Sequence, residues 1–249
     1  QGFIWISTYD NLLIRYDRHT ETFQNYIVDL KNPKTYPQAW ISVLYEDRSG
    51  TLWGGSPRGG LKKFDESTGT FTTYRQEPDD LNSMVDYIGT IHEDHYGNFW
   101  VGSMNGLYRF DRQKEEFSLF LPPGYLPDGF EQMTVVGIAE DVSGMLWFGT
   151  SLGLLNYDPL KESLVQYDYP VGILEDPGGD GGTFWLPSDN LIYLFDKKTG
   201  EAISYPYELV KPGGESKEIT LIAYDRIIDR AGRLWMATDD LGLVTADLK

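Results

Sequence analysis

Three histidines, His19, His92 and His95, are the only ones in the chain, and there is no cysteine. Thiolate nucleophiles, thiolate metal sites and disulfides are therefore excluded. His92 stands in the run TIHED (90–94) beside Glu93, and His95 opens the next turn. A metal site drawn from these three would need their side chains to converge. In an extended strand, neighbouring side chains point to opposite faces, so a structural or solvated histidine is the favoured reading. The acidic pairs Glu46–Asp47, Glu93–Asp94 and Glu140–Asp141 invite comparison with glycoside cleavage, which needs two carboxyl groups flanking one bond. They recur at even spacing, and recurrence fits an architectural role better than a single active site. Asp176 and Asp180 in EDPGGDGG (175–182) are oxygen ligands of the kind Ca²⁺ takes, but a plain glycine-rich turn is the favoured reading there. No nucleophile elbow, phosphate-binding loop or zinc motif occurs. The sequence thus predicts no catalytic residues, no metal and no cofactor.

Composition narrows the class. The formal net charge of -17 disfavours nucleic acid and anionic membrane surfaces as partners. No run approaches the length of a membrane span. The chain begins at Gln1 without a signal-peptide pattern, which reads as a processed or excised piece of a longer protein. Hydrophobic residues at 41 % permit a real core, and 7 Trp with 17 Tyr favour strands. The 27 Gly and 13 Pro fall at regular points, as turns do.

The elements that must position any site come from a repeat. Six tryptophans, Trp5, Trp53, Trp100, Trp147, Trp185 and Trp235, are separated by 48, 47, 47, 38 and 50 residues. Three residues before each stands glycine: Gly2, Gly50, Gly97, Gly144, Gly182 and Gly232. One residue before stand Ile4, Leu52, Phe99, Leu146, Phe184 and Leu234. Two after come small residues or a proline (Ser7, Gly55, Gly102, Gly149, Pro187, Ala237), and three after comes a hydroxyl in every copy. An aspartate follows eleven or twelve residues on: Asp17, Asp65, Asp111, Asp158, Asp196 and Asp247.

Each unit reads as four short runs of period-2 patterning joined by Gly, Asp and Ser turns, as in ISVLYED (41–47), TLWGGS (51–56), GLKKFD (60–65) and TFTTY (70–74). Repetition of a four-stranded antiparallel unit at this period predicts an all-β fold, a β-propeller of about six blades. The end blades are incomplete: three strands, four sets of four, then three. We expect one propeller domain or arc over 1–249, either a ring with two incomplete blades or part of a larger propeller whose open edges favour association, a homodimer included. In each unit the turn glycine should adopt positive φ, the small position should allow close blade approach, and the aspartate should satisfy turn backbone groups.

The stretch SPRGGLKKFDESTGTFTTYRQEPDDLNSMVDYIGTIHEDHYGNFWVGS (56–103) resembles the two-component regulator propeller repeat. The shared marks are the G-x-[LF]-W-x-G-[ST] core, the GL-x-x-[FY]-D and TGTF-x-x-Y strands, the PDDLNS connector and the I-x-E-D strand. The likeness runs nearly end to end and is best in the second to fourth units. The fifth departs at FWLPSD (184–189) and PGGDGG (177–182), and the sixth has IIDRAG (227–232) where Glu-Asp is usual. The resemblance implies the periplasmic sensor region of a hybrid two-component histidine kinase, one that binds an oligosaccharide and signals through a membrane. The chain itself carries no kinase segment.

Loops on a rigid scaffold carry binding. The long connectors, 27–38, 75–86, 121–132 and 206–217, together with a shorter loop, hold or border Tyr36, Arg58, Arg75, Tyr87, Tyr125, Tyr169 and Tyr207. Tyr rings stack on sugars, and Arg pairs with carboxylates or sulfates. These seven residues are the candidate ligand-binding set, against the simpler reading that the tyrosines pin the loops to the blades. The rival functions are a propeller-fold lyase or glycoside hydrolase and a protein-interaction scaffold.

Overall fold

The computed structural model describes residues 2–28, 40–57, 59–75, 87–120, 133–169, 172–175, 181–187, 191–206, 223–229, 231, 233–238 and 242–247. Among these residues every regular element is a β-strand, and the strands form separate antiparallel sheets in sequence order. The first sheet is β1 (Phe3–Ser7), β2 (Leu12–Asp17) and β3 (Thr22–Ile27). The second is β4 (Val43–Glu46), β5 (Leu52–Ser56), β6 (Gly60–Asp65) and β7 (Thr70–Tyr74). The third is β8 (Ile88–Glu93), β9 (Phe99–Ser103), β10 (Gly106–Asp111) and β11 (Glu116–Phe120). The fourth is β12 (Val135–Glu140), β13 (Leu146–Thr150), β14 (Gly153–Asp158) and β15 (Ser163–Tyr167). The fifth is β16 (Leu174–Glu175), β17 (Thr183–Pro187), β18 (Leu191–Asp196) and β19 (Ala202–Pro206). The sixth is β20 (Ala223–Ile228), β21 (Arg233–Thr238) and β22 (Gly242–Asp247). These are blades of a β-propeller, with three strands at each end and four in each of the four between, as the repeat predicts. The chain divides into two compact units, Gln1–Ile138 and Ala139–Lys249.

The tryptophan strand is the packing strand. β5, β9 and β13 are buried at every position. In the first unit, Trp53 of the second blade meets Phe99 and Phe110 of the third at 4.8 and 5.9 Å between ring centroids. Trp5 meets Phe64 of the second blade at 5.4 Å and packs on the cluster that holds Leu52. In the second unit, Trp147 meets Phe184 and Phe195 at 5.6 and 5.5 Å. Each of these tryptophans thus packs against the apolar residue preceding the next tryptophan, or against the cluster that holds it. Face-to-face sheet packing of this kind is a product of strand alternation.

A second device holds each tryptophan from its own blade. The indole N–H of Trp53 donates to Asp47 Oδ2 (2.8 Å), of Trp100 to Asp94 (2.8 Å), of Trp147 to Asp141 (2.9 Å) and of Trp235 to Asp229 (2.8 Å). The other carboxylate oxygen takes backbone N–H groups two and four residues on. For Asp47 these are Ser49 and Thr51, for Asp94 Tyr96 and Asn98, for Asp141 Ser143 and Met145, and for Asp229 Ala231 and Arg233. One side chain therefore ties the turn and the core together. The acidic pairs are architectural, as their recurrence indicates. The sixth unit keeps the working member: Asp229 stands where Asp47 stands, and only the glutamate is replaced, by buried Ile228.

The turn glycine has φ of 87°, 81°, 83° and 83° at Gly2, Gly50, Gly97 and Gly144. In the fifth unit the positive φ belongs to Gly181 and not to the expected Gly182; the sequence there differs too, with Gly179 at the position of the anchoring aspartate. The aspartates that end the third strands cap the following turns. Asp111 Oδ1, for example, accepts from Gln113 and Lys114 N (2.9 and 3.0 Å), and Asp196 Oδ1 from Lys198 and Thr199 N (2.8 and 2.9 Å).

Blade approach depends on the small position. A Cβ added at Gly102 would lie 2.4 Å from Thr90 Cγ2 and 2.9 Å from Val135 Cγ1. We predict that Gly102→Ala destabilises the chain by about 2 kcal/mol through overpacking. Because Thr90 Cγ2 is the nearest obstacle, Gly102→Ala with Thr90→Ser should recover part of the loss. Urea unfolding of the wild type, both singles and the double variant tests this; additive losses would disprove the steric account.

The anchoring aspartates also set an acid limit. Burial pushes the Asp47 and Asp141 carboxyls up, but hydrogen bonds from Ser49, Trp53 and Thr51, and from Ser143, Trp147 and Met145, outweigh it and hold both below the ordinary 3.8. A depressed native pKa contributes stability above the unfolded value and loses it as pH falls through the native one. The thermal midpoint should therefore drop steeply below about pH 4. Asp47→Asn with Asp141→Asn should flatten that drop while lowering the midpoint at neutral pH; an unchanged acid profile in the double variant would refute the assignment.

Candidate functional site

Of the seven candidate ligand residues, Tyr36, Arg58, Tyr125 and Tyr207 lie outside the described residues, as do Asp176 and Asp180. Arg75 follows β7 and is half-buried, its Cγ lying against Gly60. Tyr87, also half-buried, precedes β8, and its carbonyl accepts the Met104 N–H at 3.2 Å. Arg75 and Tyr87 therefore mark the two ends of one long connector. Tyr169, in the second unit, packs edge-on against Phe195 and Tyr193 at 5.4 and 6.0 Å between centroids, so this tyrosine does pin its connector to the blade.

The histidines take no common site. His92 faces the ring of Tyr45 (6.3 Å), His95 lies on Tyr96 (3.6 Å), and Glu93 is committed elsewhere. Among the described residues no three His, Asp or Glu side chains gather as a metal site.

Antiparallel order puts the turns after the first and third strands of a blade at one end and the connectors at the other. At the turn end of the first unit, a charged junction links the second and third blades. Arg112, just beyond β10, donates from Nη1 to Asp47 Oδ2 (3.1 Å) and from Nη2 to Glu93 Oε1 (2.6 Å) and the Gly97 carbonyl (3.2 Å). Its guanidinium lies over the Phe99 ring at 5.1 Å. The second oxygen of Glu93 accepts the Arg48 N–H at 2.9 Å, and the Glu93 N–H donates to Tyr45 Oη at 2.8 Å. Asp47 and Glu93 are both buried, so they need this cation: a buried charge without a partner is costly. Burial pulls the Arg112 pKa down, but the two carboxylates raise it overall.

The repeat pattern does not disclose Arg112. It sits one residue past the aspartate column, where other units carry Arg18, Glu66, Pro159 and Lys197. A further residue unmarked by the pattern is Lys62, fully buried in β6 where β10 carries Tyr108 and β14 carries Leu155; its Nζ donates to Thr73 Oγ1 at 3.1 Å.

Grooves open at the same turn end. One of about 580 Å³ lies between the first and second blades, lined by Phe3, Trp5, Glu46, Lys63, Glu66 and Glu115 among others. A shallower one of about 470 Å³ borders the Arg112 junction, with Arg48 and Lys63 at its rim.

No protein-family model matches the chain, and no curated protein does. Solved structures do. The extracellular domain assigned to one hybrid two-component system of B. thetaiotaomicron is 21% identical, with 98% of this chain covering 32% of that one at a TM-score of 0.68. A second such domain from the same organism is 18% identical, with 100% of this chain covering 34% of that one at a TM-score of 0.72. A chain of the mitotic checkpoint complex is 14% identical, with 98% of this chain covering 70% of it at a TM-score of 0.65. The chain spans about a third of the length of the two bacterial domains. At these identities the common property is the fold, which hosts more than one function.

Arg112→Ala should leave Asp47 and Glu93 buried without their cation and cost about 2–3 kcal/mol, less than a fully enclosed pair because Arg112 is partly exposed. Arg112→Lys, which keeps charge but not the two-pronged reach, should fall between. Urea unfolding checks the order; equal stability of wild type and Arg112→Ala would show the junction to be ornamental.

Proposed function

We propose that this chain is the ligand-sensing propeller region, or part of it, of an extracytoplasmic sensor in a hybrid two-component system, and that it binds an oligosaccharide or relays its binding. The observation that carries the reading is the end-to-end fold likeness to extracellular domains assigned to such systems, and the repeat motif in the sequence points the same way. Two features of the chain agree with a binding module that works as part of a larger sensor. The carboxylates whose spacing resembles a glycosidase pair are occupied in anchoring tryptophans, and Glu93 is held by Arg112. Among the described residues no helix is long and apolar enough to cross a membrane, so anchoring and kinase activity belong to other parts of a whole sensor. The connector end is the side we assign to the glycan, with Arg75 and Tyr87 at the roots of one connector.

A second reading, association through a sheet edge, is favoured by β1. Phe3, Ile4 and Ile6 are exposed there, whereas the matching strands β5, β9 and β13 are wholly buried. Unpaired, apolar edges recruit partners.

The test is a thermal-shift series with neutral, uronic and sulfated oligosaccharides, with mass spectrometry of the sugars afterwards. A ligand that binds only the folded chain raises the midpoint by mass action. The sensor reading expects a selective rise with the sugar intact, and a loss of roughly tenfold in affinity for Arg75→Ala or Tyr87→Ala, about the weight of one charged or stacking contact. Tyr169→Ala should reduce stability instead. Cleaved sugar would replace the reading with an enzyme. Concentration-dependent sedimentation without any sugar response would replace it with the scaffold.

A further inference from the structure

The blade junctions of the first unit are written from the same columns, so one can serve as the template for the other. Between the second and third blades, the Arg112 guanidinium touches Asp47, Glu93 and the Gly97 carbonyl and covers Phe99. One repeat earlier, between the first and second blades, Glu46 stands for Glu93, Gly50 for Gly97, Leu52 for Phe99 and Asp65 for Asp111. The position of Arg112 is taken by Glu66. The filling cation has become a carboxylate, and at this junction the groove of about 580 Å³ opens.

Most of the carboxylates along the groove already have partners. Asp65 caps its own turn through Ser67, Glu115 accepts the Tyr74 hydroxyl at 3.0 Å, and Glu66 pairs with Arg15. Glu46 is exposed and has no hydrogen-bond or ionic partner among the described residues. Phe3 and Trp5 line the groove on the first-blade side. Lys63 is the cation on its wall, and it leans toward the Trp53 ring at 5.8 Å.

We propose that this groove is a binding site for a cationic group, the guanidinium or primary ammonium of a small molecule, held by Glu46 in the manner in which Glu93 holds Arg112. The Gly50 carbonyl is the second acceptor, as Gly97 is for Arg112. The net charge of -17 raises the local concentration of cations around the mouth. The proposal stands on the junction geometry and does not depend on the sensor reading: a glycan at the connector end and a cation at the turn end are separate events.

The experiment uses the whole chain, with calorimetric titration by agmatine, by the glucosamine trimer and by the neutral N-acetylglucosamine trimer. Nuclear magnetic resonance of the Trp5 indole N–H reports the location. Expected is binding of one or both cationic probes, with movement of the Trp5 resonance and none with the neutral trimer. Agmatine alone would identify a guanidinium or simple amine as the ligand type, and the glucosamine trimer alone an amine-bearing sugar. Glu46→Gln should weaken binding roughly fivefold, the effect of one partly exposed charge pair. Glu66→Arg should abolish it and raise the thermal midpoint, because it rebuilds the Arg112 junction one repeat earlier. Both positions are exposed, so the variants should fold. The proposal is overturned if neither cationic probe binds at millimolar concentration, if the neutral trimer binds as well, or if Glu46→Gln and Glu66→Arg leave the affinity unchanged.

Discussion

The hydrogen bond from a tryptophan indole to an aspartate six residues earlier is the constraint on which the blades depend. Burying each tryptophan supplies most of the free energy, on the order of a few kcal/mol for a large side chain. The hydrogen bond contributes less, about 1–3 kcal/mol where the donor is buried, but it decides direction. With Nε1 fixed to the carboxylate, the indole can present only one flank to the next blade. The other carboxylate oxygen meanwhile holds two backbone N–H groups of the turn. Turn geometry, strand register and blade packing are therefore set by one side chain, and a single residue type at one spacing must be kept in every regular unit.

That constraint explains where the repeat bends. The sixth unit abandons the glutamate of the acidic pair but keeps Asp229, and its tryptophan is held like the others. The fifth has glycine at the anchoring position, and there the positive-φ glycine shifts by one residue and the small position is filled by Pro187. The glutamate column is free to vary because its work differs from unit to unit. Glu93 is buried and bridged, Glu46 is exposed beside a groove, and Ile228 simply packs.

Legibility from sequence follows the same division. Columns report whatever every blade must do, so strand order, turn glycines and the packing role of each tryptophan are legible in the amino-acid sequence by itself. The partner of the indole is not legible in that way. The acidic pairs are recognisable as architectural, but their spacing to the tryptophan gains meaning only when β4 and β5 fold back and bring Asp47 to Trp53. Arg112 and Lys62 escape notice for the opposite reason: each occurs once, and a one-off residue carries no periodic signal. For the seven connector residues, sequence reasoning can name a face and a chemistry, and Tyr169 illustrates the limit. An aromatic in a connector is equally suited to stacking on a ligand and to packing on Phe195 and Tyr193; only the fold distinguishes them.

Function in such an array has to reside in what the columns do not share. A repeated contact cannot discriminate one ligand from another, because it would offer the same site in every blade. The two junctions of the first unit make the point within one molecule: the same strand pattern, the same glycine turn and the same glutamate column, yet a guanidinium bridge in one and an open acidic groove in the other. The residue that differs past the third strand is Arg112 in one and Glu66 in the other. The indole–aspartate anchor keeps the blade geometry constant, so that position is relieved of any packing duty and free to become a bridge, a rim or a binding wall.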